Sequence, residues 1–482
     1  MAIKVLNSLS KKKEKFQPIK ENRVSIYLCG PTVYDQPHLG HLRSAYDFDV
    51  IRRYFLFSGY EVLFLRNVTD VDDKIIDKAR SLSNKDLKES TRDIADKYYK
   101  VYNLWMTKFG IMPPDIEPWA TDHITQMQDM IQSLIDKDYA YLSDGDVYFN
   151  IKKFKSYGKL SHRSVKDMIS GARVEPVDKK RDPLDFALWK KVKEDEPSWE
   201  SPWGEGRPGW HIECSAMSTC YLGDTFDIHA GGRDLIFPHH ENEIAQAEAA
   251  TGKRFANYWL HNGMLTIDAQ KMAKSLGNFI TIEDVLGKYH PDIVKMFFLS
   301  TNYNSPIDFS WQRLDGLKSV KSSFDSFFSK IRAIKNLDGV KYNSNFEKVC
   351  FELDKEIDNL SLKFKNAMDD DFNTALAFGV LNEVLGLGNK IYDDKRLDFS
   401  SKVVLLIRIK NIILDFSKIF GLFEDLDSGS EDYKQVVDLL IQVRGELRDQ
   451  KNYQLADKIR IYLEEEGIVL EDGVGGSSWR KV

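Results

Sequence analysis

Residues Val24 to His41 read VSIYLCGPTVYDQPHLGH, and their order decides the fold. Val24, Ile26, Tyr27 and Leu28 form a β-branched and aromatic run that predicts a strand ending at Cys29. Gly30 and Pro31 break it. His38-Leu39-Gly40-His41 then opens a helix over Gly40 to Phe57, apolar at Leu42, Ala45, Tyr46, Val50, Tyr54 and Phe57 and stopped by Ser58-Gly59. A second strand, Glu61 to Arg66, completes a strand-helix-strand unit, which implies a parallel sheet with a right-handed crossover. Where a parallel strand ends against a helix start, free N–H groups and the helix dipole favour phosphate-bearing ligands.

Composition narrows the class. A chain of 482 residues has room for several domains, and its 42% hydrophobic and 29% charged content is that of an ordinary water-facing protein. No run of about 18 apolar residues occurs, which excludes a membrane-spanning helix. The Lys11-Lys12-Lys13 cluster lacks an apolar run beside it, so no secretory signal is expected and a cytoplasmic location is. Four scattered cysteines, Cys29, Cys214, Cys220 and Cys350, fit a reducing compartment and read as metal ligands or thiols rather than a disulfide framework. A net charge of −6 gives no overall attraction for nucleic acid, so any such role must rest on local contacts.

Along the chain, the acidic run Asn67 to Asp73 reads as a helix cap with dipole-favoured carboxylates rather than a metal site, ahead of a lysine-rich helical region to about Phe109. Pro113, Pro114 and Pro118 mark a boundary. Residues 116–203 then carry their own helix (Asp122 to Lys137), two short strands (Tyr139 to Leu142, Val147 to Asn150) and a Pro/Gly-rich end, the pattern of an insertion into an α/β domain. Strand signals return with Phe226-Asp227-Ile228-His229 and Trp259-Leu260-His261-Asn262-Gly263. Beyond residue 315 the segments Phe346 to Phe364, Thr374 to Tyr392 and Val403 to Phe420 are amphipathic and predict a helical bundle. A linker, Leu426 to Ser430, leads to a last module of two helices and a short strand, Ile468 to Leu470. The expected fold is α/β: a Rossmann-like parallel-sheet domain in two halves (1–115 and 204–265) split by the insertion (116–203), a region 266–315, a bundle 316–425 and a small carboxyl-terminal domain 431–482.

Two motifs carry phosphate chemistry. His38 and His41 lie three residues apart at a helix start, with Gly40 allowing close backbone approach; such histidines also serve merely as caps. Lys271-x-x-Lys274-Ser275 brings two ammonium groups into one loop, suited to a polyphosphate or simply to solvent. Each is weak alone. The ordered pair, about 230 residues apart and each just past a strand, is more specific.

With these motifs the chain resembles the class I aminoacyl-tRNA synthetases and, among them, the cysteinyl-tRNA synthetase family, over essentially its whole length. His38-Leu39-Gly40-His41 matches the HIGH signature and Lys271-Met272-Ala273-Lys274-Ser275 the KMSKS signature, with Leu39 and Ala273 as mild departures. More specific are YLCGPTVYD (Tyr27 to Asp35), GRPGWHIECSAM (Gly206 to Met217), FDIHAGGRDLIFPHHENEIAQ (Phe226 to Gln246), MDDDFNT (Met368 to Thr374) and the closing IVLEDG with Trp479-Arg480.

The resemblance implies a cysteine–tRNA ligase acting on L-cysteine, ATP with Mg2+, and tRNA(Cys), as a monomer without membrane attachment. It implies one Zn2+ held by Cys29, Cys214, His239 and Glu243. Spacing alone does not show this, because Cys29 and Cys214 lie 185 positions apart and only His239 and Glu243 share an i, i+4 face. It implies catalytic roles for His38, His41, Lys271 and Lys274, ATP binding by His38, Gly40, His41 and Lys274, and a cysteine pocket of Gly30, Thr32, Trp210, His229 and Asp234. Region 266–315 becomes the KMSKS-loop and stem-contact region and 431–482 the anticodon-binding domain. Charge lends the latter no support, since it holds 8 Lys and Arg against 11 Asp and Glu; stacking and hydrogen bonding by Arg448, Asp457, Asp472, Trp479 and Arg480 are the candidates. Cys220 and Cys350 match no functional position.

Two other readings stand beside this one. A zinc-dependent ligase joining cysteine to a small amine shares the catalytic motifs but lacks the carboxyl-terminal module present here. A non-catalytic RNA-binding paralogue is disfavoured by the intact HLGH, KMAKS and metal-ligand positions.

Overall fold

The apolar run of the deciding stretch forms a strand, β1 (Arg23–Leu28), buried at Val24, Ile26, Tyr27 and Leu28. The computed structural model describes residues 2–82, 86–164, 179–272, 277–332, 334, 348–424, 437, 440–445, 447–448, 453–465, 468–473 and 476–481. After β1 come α1 (Leu39–Phe57), β2 (Glu61–Arg66), α2 (Trp210–Leu222), β3 (Phe226–Gly232), α3 (Glu241–Thr251) and β4 (Ala256–Asn262). These strands make a parallel sheet in the order β4-β3-β1-β2. Leu28 lies opposite Arg66 and Ala230, and Ala230 opposite Leu260, so the strands end together along one edge. Between β2 and β3 the chain crosses from one side of β1 to the other. That reversal opens a crevice at the carboxyl ends of β1 and β3.

Helix α1 differs from the one-faced amphipathic helix expected. It is buried nearly all round, and Phe57, placed on the apolar stripe, is 48% exposed. One side rests on the sheet; the other is covered by the bundle, where Tyr46 Oη donates to Phe420 O and Tyr54 Oη to Asp369. The polar residues this buries are paired: Arg43 with Asp47 (3.3 Å), Arg53 with Asp49 (2.7 Å) and Arg52 with Asp115 (2.8 Å). Arg43 does most to tie elements together. Its Nη1 donates to the carbonyls of Gly263 and Met264 at 2.9 and 3.0 Å, and its Nη2 to those of Tyr303 and Ser305 at 3.2 and 2.6 Å.

The insertion is a four-stranded antiparallel sheet, Ala140–Ser143, Asp146–Phe149, Phe186–Lys191 and Gly206–Pro208, with helix Ile124–Asp136. Leu134, Val147, Phe149 and Leu188 share one core with Met217 of α2 and Ala249 of α3. Its limits shift from those read in sequence. Ile116 and Trp119 still bridge to Leu65 and Val68, and the insertion's last strand runs past 203 to Pro208. Both errors come from prolines, which edge segments tolerate because no N–H is required of them there. The lysine-rich region is two helices, Asp73–Leu82 and Leu87–Lys108. The cap reading of the acidic run holds for Asp72, which accepts from Lys74 N at 2.9 Å, whereas Asp73 instead ties the insertion through Lys190 and Arg207.

Helices Trp311–Arg332, Lys348–Asp369, Thr374–Asp393 and Phe399–Phe420 form the bundle, in which the Phe364 and Phe416 rings stack at 3.7 Å. The MDDDFNT stretch is its joint to the α/β domain: Asp371 accepts from Leu6 N (2.7 Å), Tyr303 Oη (3.0 Å) and Asn304 Nδ2 (3.0 Å). Residues 1–422 form one compact unit and 423–482 a second. In the second, helix Tyr453–Glu465 and the hairpin Ile468–Gly473/Gly476–Lys481 are ordered around Val437, Leu463, Ile468 and Leu470; the linker 426–430 lies outside the described residues. Among the described residues no helix is long and apolar enough to cross a membrane.

Arg43→Leu strands Asp47 and four carbonyls in a dry interior. It is expected to destabilise the larger unit by about 3–5 kcal/mol, seen as a lower denaturant midpoint for that unit; an unchanged midpoint contradicts the tie.

Candidate active site

The crevice holds a cavity of about 380 Å3 that runs from the end of β1 (Leu28, Cys29, Gly30) to the start of α1 (His38, Gly40, His41), with Gly232, Asp234, Gly263 and Met264 opposite. The turn between β1 and α1 is fixed by close packing. A Cβ on Gly30 would sit 1.7 Å from Asn67 O, and the Gly30 N–H donates to Asn67 Oδ1 at 2.8 Å, so only glycine fits.

The α1 start is a reciprocal cap built from imidazoles. His38 Nδ1 accepts from the N–H groups of Gly40 and His41 at 3.1 and 3.3 Å, while His41 Nδ1 accepts from His38 N at 3.2 Å. With both Nδ1 atoms accepting, each ring carries its proton on Nε2 as a donor. The rings stack at 3.7 Å. Burial, aided by nearby His38 and Lys74, holds His41 well below the usual imidazole range, so it is neutral at pH 7. The capping role and the phosphate-donor role are therefore compatible, because they use different nitrogens. A Cβ on Gly40 would meet His38 Cε1 at 2.9 Å.

The second signature comes to the same place. Lys271 ends the short strand Gln270–Lys271, paired with Leu265–Ile267. Met272 lines the cavity, Leu39 N donates to Ile280 O, and His38 bridges to Thr281. Lys274, Ala273 and Ser275 lie outside the described residues, as does the Lys271 side chain.

At the other end, Cys29 after β1, Cys214 on α2, and His239 and Glu243 at the start of α3 converge, their ligand atoms all within 4.8 Å of one another. The Sγ atoms are 3.8 Å apart; His239 Nε2 is 3.4 Å from Cys29 Sγ, 3.6 Å from Cys214 Sγ and 3.1 Å from Glu243 Oε1. Tetrahedral Zn2+ with Zn–S of about 2.3 Å and Zn–N of about 2.0 Å implies edges of ~3.8 Å between sulfurs and ~3.6 Å between sulfur and nitrogen. Without a cation the cluster is electrostatically strained. The hydrogen bond with Cys29, then burial, drives the Cys214 thiol up. Burial raises Glu243 and lowers His239, and Glu243 Oε1 has no hydrogen-bond partner though fully buried. A soft divalent cation relieves each of these at once, so the residues present fit the metal.

Four of the five expected cysteine-pocket residues, Gly30, Thr32, Trp210 and Asp234, line the cavity; His229 does not. It is fully buried behind the cluster, its Nε2 2.7 Å from Glu243 Oε2 and its ring stacked on Trp259 at 4.2 Å. The β3 register turns His229 inward, against Glu243. Trp210 stacks on His239 at 4.1 Å, and His211 Nδ1 meets His239 Nδ1 at 2.8 Å. His211 and Asn67 went unnoticed in sequence; the one signal for His211 was its i, i+3 offset from Cys214 on a helix start. In the second unit, Arg448 and Asp457 are exposed, while Asp472, Trp479 and Arg480 occupy hairpin positions whose side chains lie outside the described residues.

Solved structures with this architecture are class I synthetases. Mycobacterium tuberculosis methionyl-tRNA synthetase in complex with methionyl-adenylate aligns with a TM-score of 0.65 at 16% identity, over 87% of this chain and 94% of that one, which speaks to fold alone. Residues 15–319 match the family described as tRNA synthetases class I (C) catalytic domain, and residues 363–424 the DALR domain. Full-length relatives include the proteins named Cysteine--tRNA ligase of Sulfurihydrogenibium sp. (48% identical over 100% of both chains), Thermococcus onnurineus (45%, 100% of both) and Aquifex aeolicus (44%, 100% of this chain and 99% of that). The chain belongs to the cysteine–tRNA ligase family.

Cys214→Ser replaces a soft donor by a hard one. Purified as the holo form, that variant is expected to hold well under one zinc per chain by metal analysis, with a steep loss of preference for cysteine over serine; full zinc content contradicts the ligand assignment.

Proposed function

We propose that this chain activates L-cysteine with ATP to cysteinyl-AMP and transfers the cysteinyl group to the 3′ end of tRNA(Cys). The observation that carries the reading is the junction, within one cavity, of a soft-donor cluster at Cys29 and a reciprocally capped imidazole pair at His38 and His41. The site resembles no general acid–base centre, and the reaction needs none for its first step. The substrate carboxylate is ionised at neutral pH and attacks the α-phosphorus of ATP directly, releasing pyrophosphate.

The protein's share is then positioning and charge stabilisation. The Nε2–H groups of His38 and His41 donate to phosphate oxygens as negative charge builds. Lys271 and Lys274 accompany the pyrophosphate, with Mg2+ bound to ATP. Gly30 and Thr32 set the floor beside the thiol, Trp210 closes its side, and Asp234 takes the substrate ammonium. In the second step a ribose hydroxyl of the terminal adenosine attacks the acyl carbon, and AMP leaves.

Cys29, Cys214, His239 and Glu243 would hold Zn2+, which supplies a ligand position that prefers sulfur to oxygen. That preference matters, because a pocket built on shape separates near-isosteres by only about a hundredfold. His229 and His211 orient Glu243 and His239. The 423–482 unit reads the anticodon through residues such as Arg448 and Asp457, and the enzyme works as a cytoplasmic monomer, in line with the family resemblance.

Pyrophosphate exchange and tRNA charging test the proposal together. Both are expected to depend on cysteine, with serine inactive at matched concentration. No cysteine-dependent exchange contradicts the activity, and exchange without charging of matched tRNA identifies a ligase for a small amine instead.

A further inference from the structure

Among the described residues, Lys74 is a cation of the active cavity with no assigned task. Three described cations line it: Arg66, Lys74 and Arg233. Arg66 is neutralised by Glu117 at 2.6 Å and covered by the Tyr102 ring. Arg233 lies toward His261 and Tyr303, both of which feel its charge. Lys74, in the first turn of Asp73–Leu82, lies toward His41, and its ammonium stands 5.4 Å from the centre of the Tyr34 ring, itself part of the cavity wall.

Lys74 sits in an acidic run, so a neutralising carboxylate is what its surroundings predict. Each candidate is engaged elsewhere. Asp70 accepts from Thr121, Asp72 caps the helix, Asp73 takes Lys190 and Arg207, and Asp35 pairs with Lys78. Among the described residues no carboxylate pairs with Lys74. An ammonium steadied by an aromatic face and left without a counter-ion at a cavity wall is a ready point charge for an anion. Two of the three substrates under the proposed activity, ATP and tRNA, bring phosphates.

We propose that Lys74 is a phosphate-binding residue of the active cavity, with its ammonium set by the Tyr34 ring to meet a phosphate of ATP or the phosphodiester preceding the terminal adenosine of tRNA. This rests on the cysteine–tRNA ligase reading, and the two phosphate sources separate by reaction step: ATP enters in activation, tRNA only in transfer.

The test uses the full-length holoenzyme with Lys74→Gln and Lys74→Arg. Cysteine-dependent ATP–pyrophosphate exchange reads activation, and single-turnover release of cysteine from preformed enzyme-bound cysteinyl-AMP to tRNA(Cys) reads transfer. Lys74→Gln is expected to lose about tenfold or more in one step, while Lys74→Arg keeps most of it. A loss in exchange assigns the ATP phosphates; a loss confined to transfer assigns the tRNA phosphate. Gln within twofold of wild type in both steps overturns the proposal, as does an Arg variant as impaired as Gln. A wild-type enzyme with no cysteine-dependent exchange refutes the activity itself, separately from Lys74.

Discussion

Two thiols, an imidazole and a carboxylate share one buried cluster, and the rest of the catalytic unit is arranged to bring them there. Burial alone opposes each charged form, and Glu243 Oε1 accepts no hydrogen bond in a dry interior. Such a cluster suits a cation, and it needs three segments to end at one point. The β4-β3-β1-β2 order supplies this. Cys29 follows β1, while Cys214 and the His239/Glu243 pair come from the helices that flank β3. His211, His229 and Trp210 then hold the ligands from behind, using the imidazole nitrogen and carboxylate oxygen that face away from the other donors.

The same short turn that carries Cys29 also sets the nucleotide end. Gly30 lets β1 approach Asn67, and eight residues later His38 opens the reciprocal cap in which it and His41 each use Nδ1 at the start of α1. Arg43, two residues beyond His41, grips the carbonyls of Gly263 and Met264 on the opposite wall. The start of α1 and the Gly263–Met264 wall are thereby tied together.

Local signals in the sequence carried the strands, the α1 start and the insertion, because hydrophobic period and Gly/Pro punctuation report on local structure. They failed where tertiary packing decides. Phe57 fell on the apolar stripe yet faces outward, and α1's acidic and basic residues are buried because the bundle covers them. Pro118 read as a break but lies along the sheet edge, its carbonyl accepting from Val68 N. The metal ligands were legible only through family resemblance, since no spacing rule joins Cys29 to Cys214. His229, taken as a pocket residue, serves Glu243 instead, because strand register decides which way it points and sequence does not show register. Arg43, Asn67 and His211 left no distinctive trace, as their partners are backbone groups or residues remote in the chain.

A soft metal held by Cys29, Cys214, His239 and Glu243 is proposed to tell cysteine from serine. Replacing the native metal by Co2+ and recording the visible and near-ultraviolet spectrum during titration with each amino acid tests it most directly. Cysteine is expected to add sulfur-to-cobalt charge-transfer absorption and to perturb the cobalt bands, whereas serine leaves both unchanged. A spectrum indifferent to cysteine at saturation, or changed alike by both amino acids, contradicts the account.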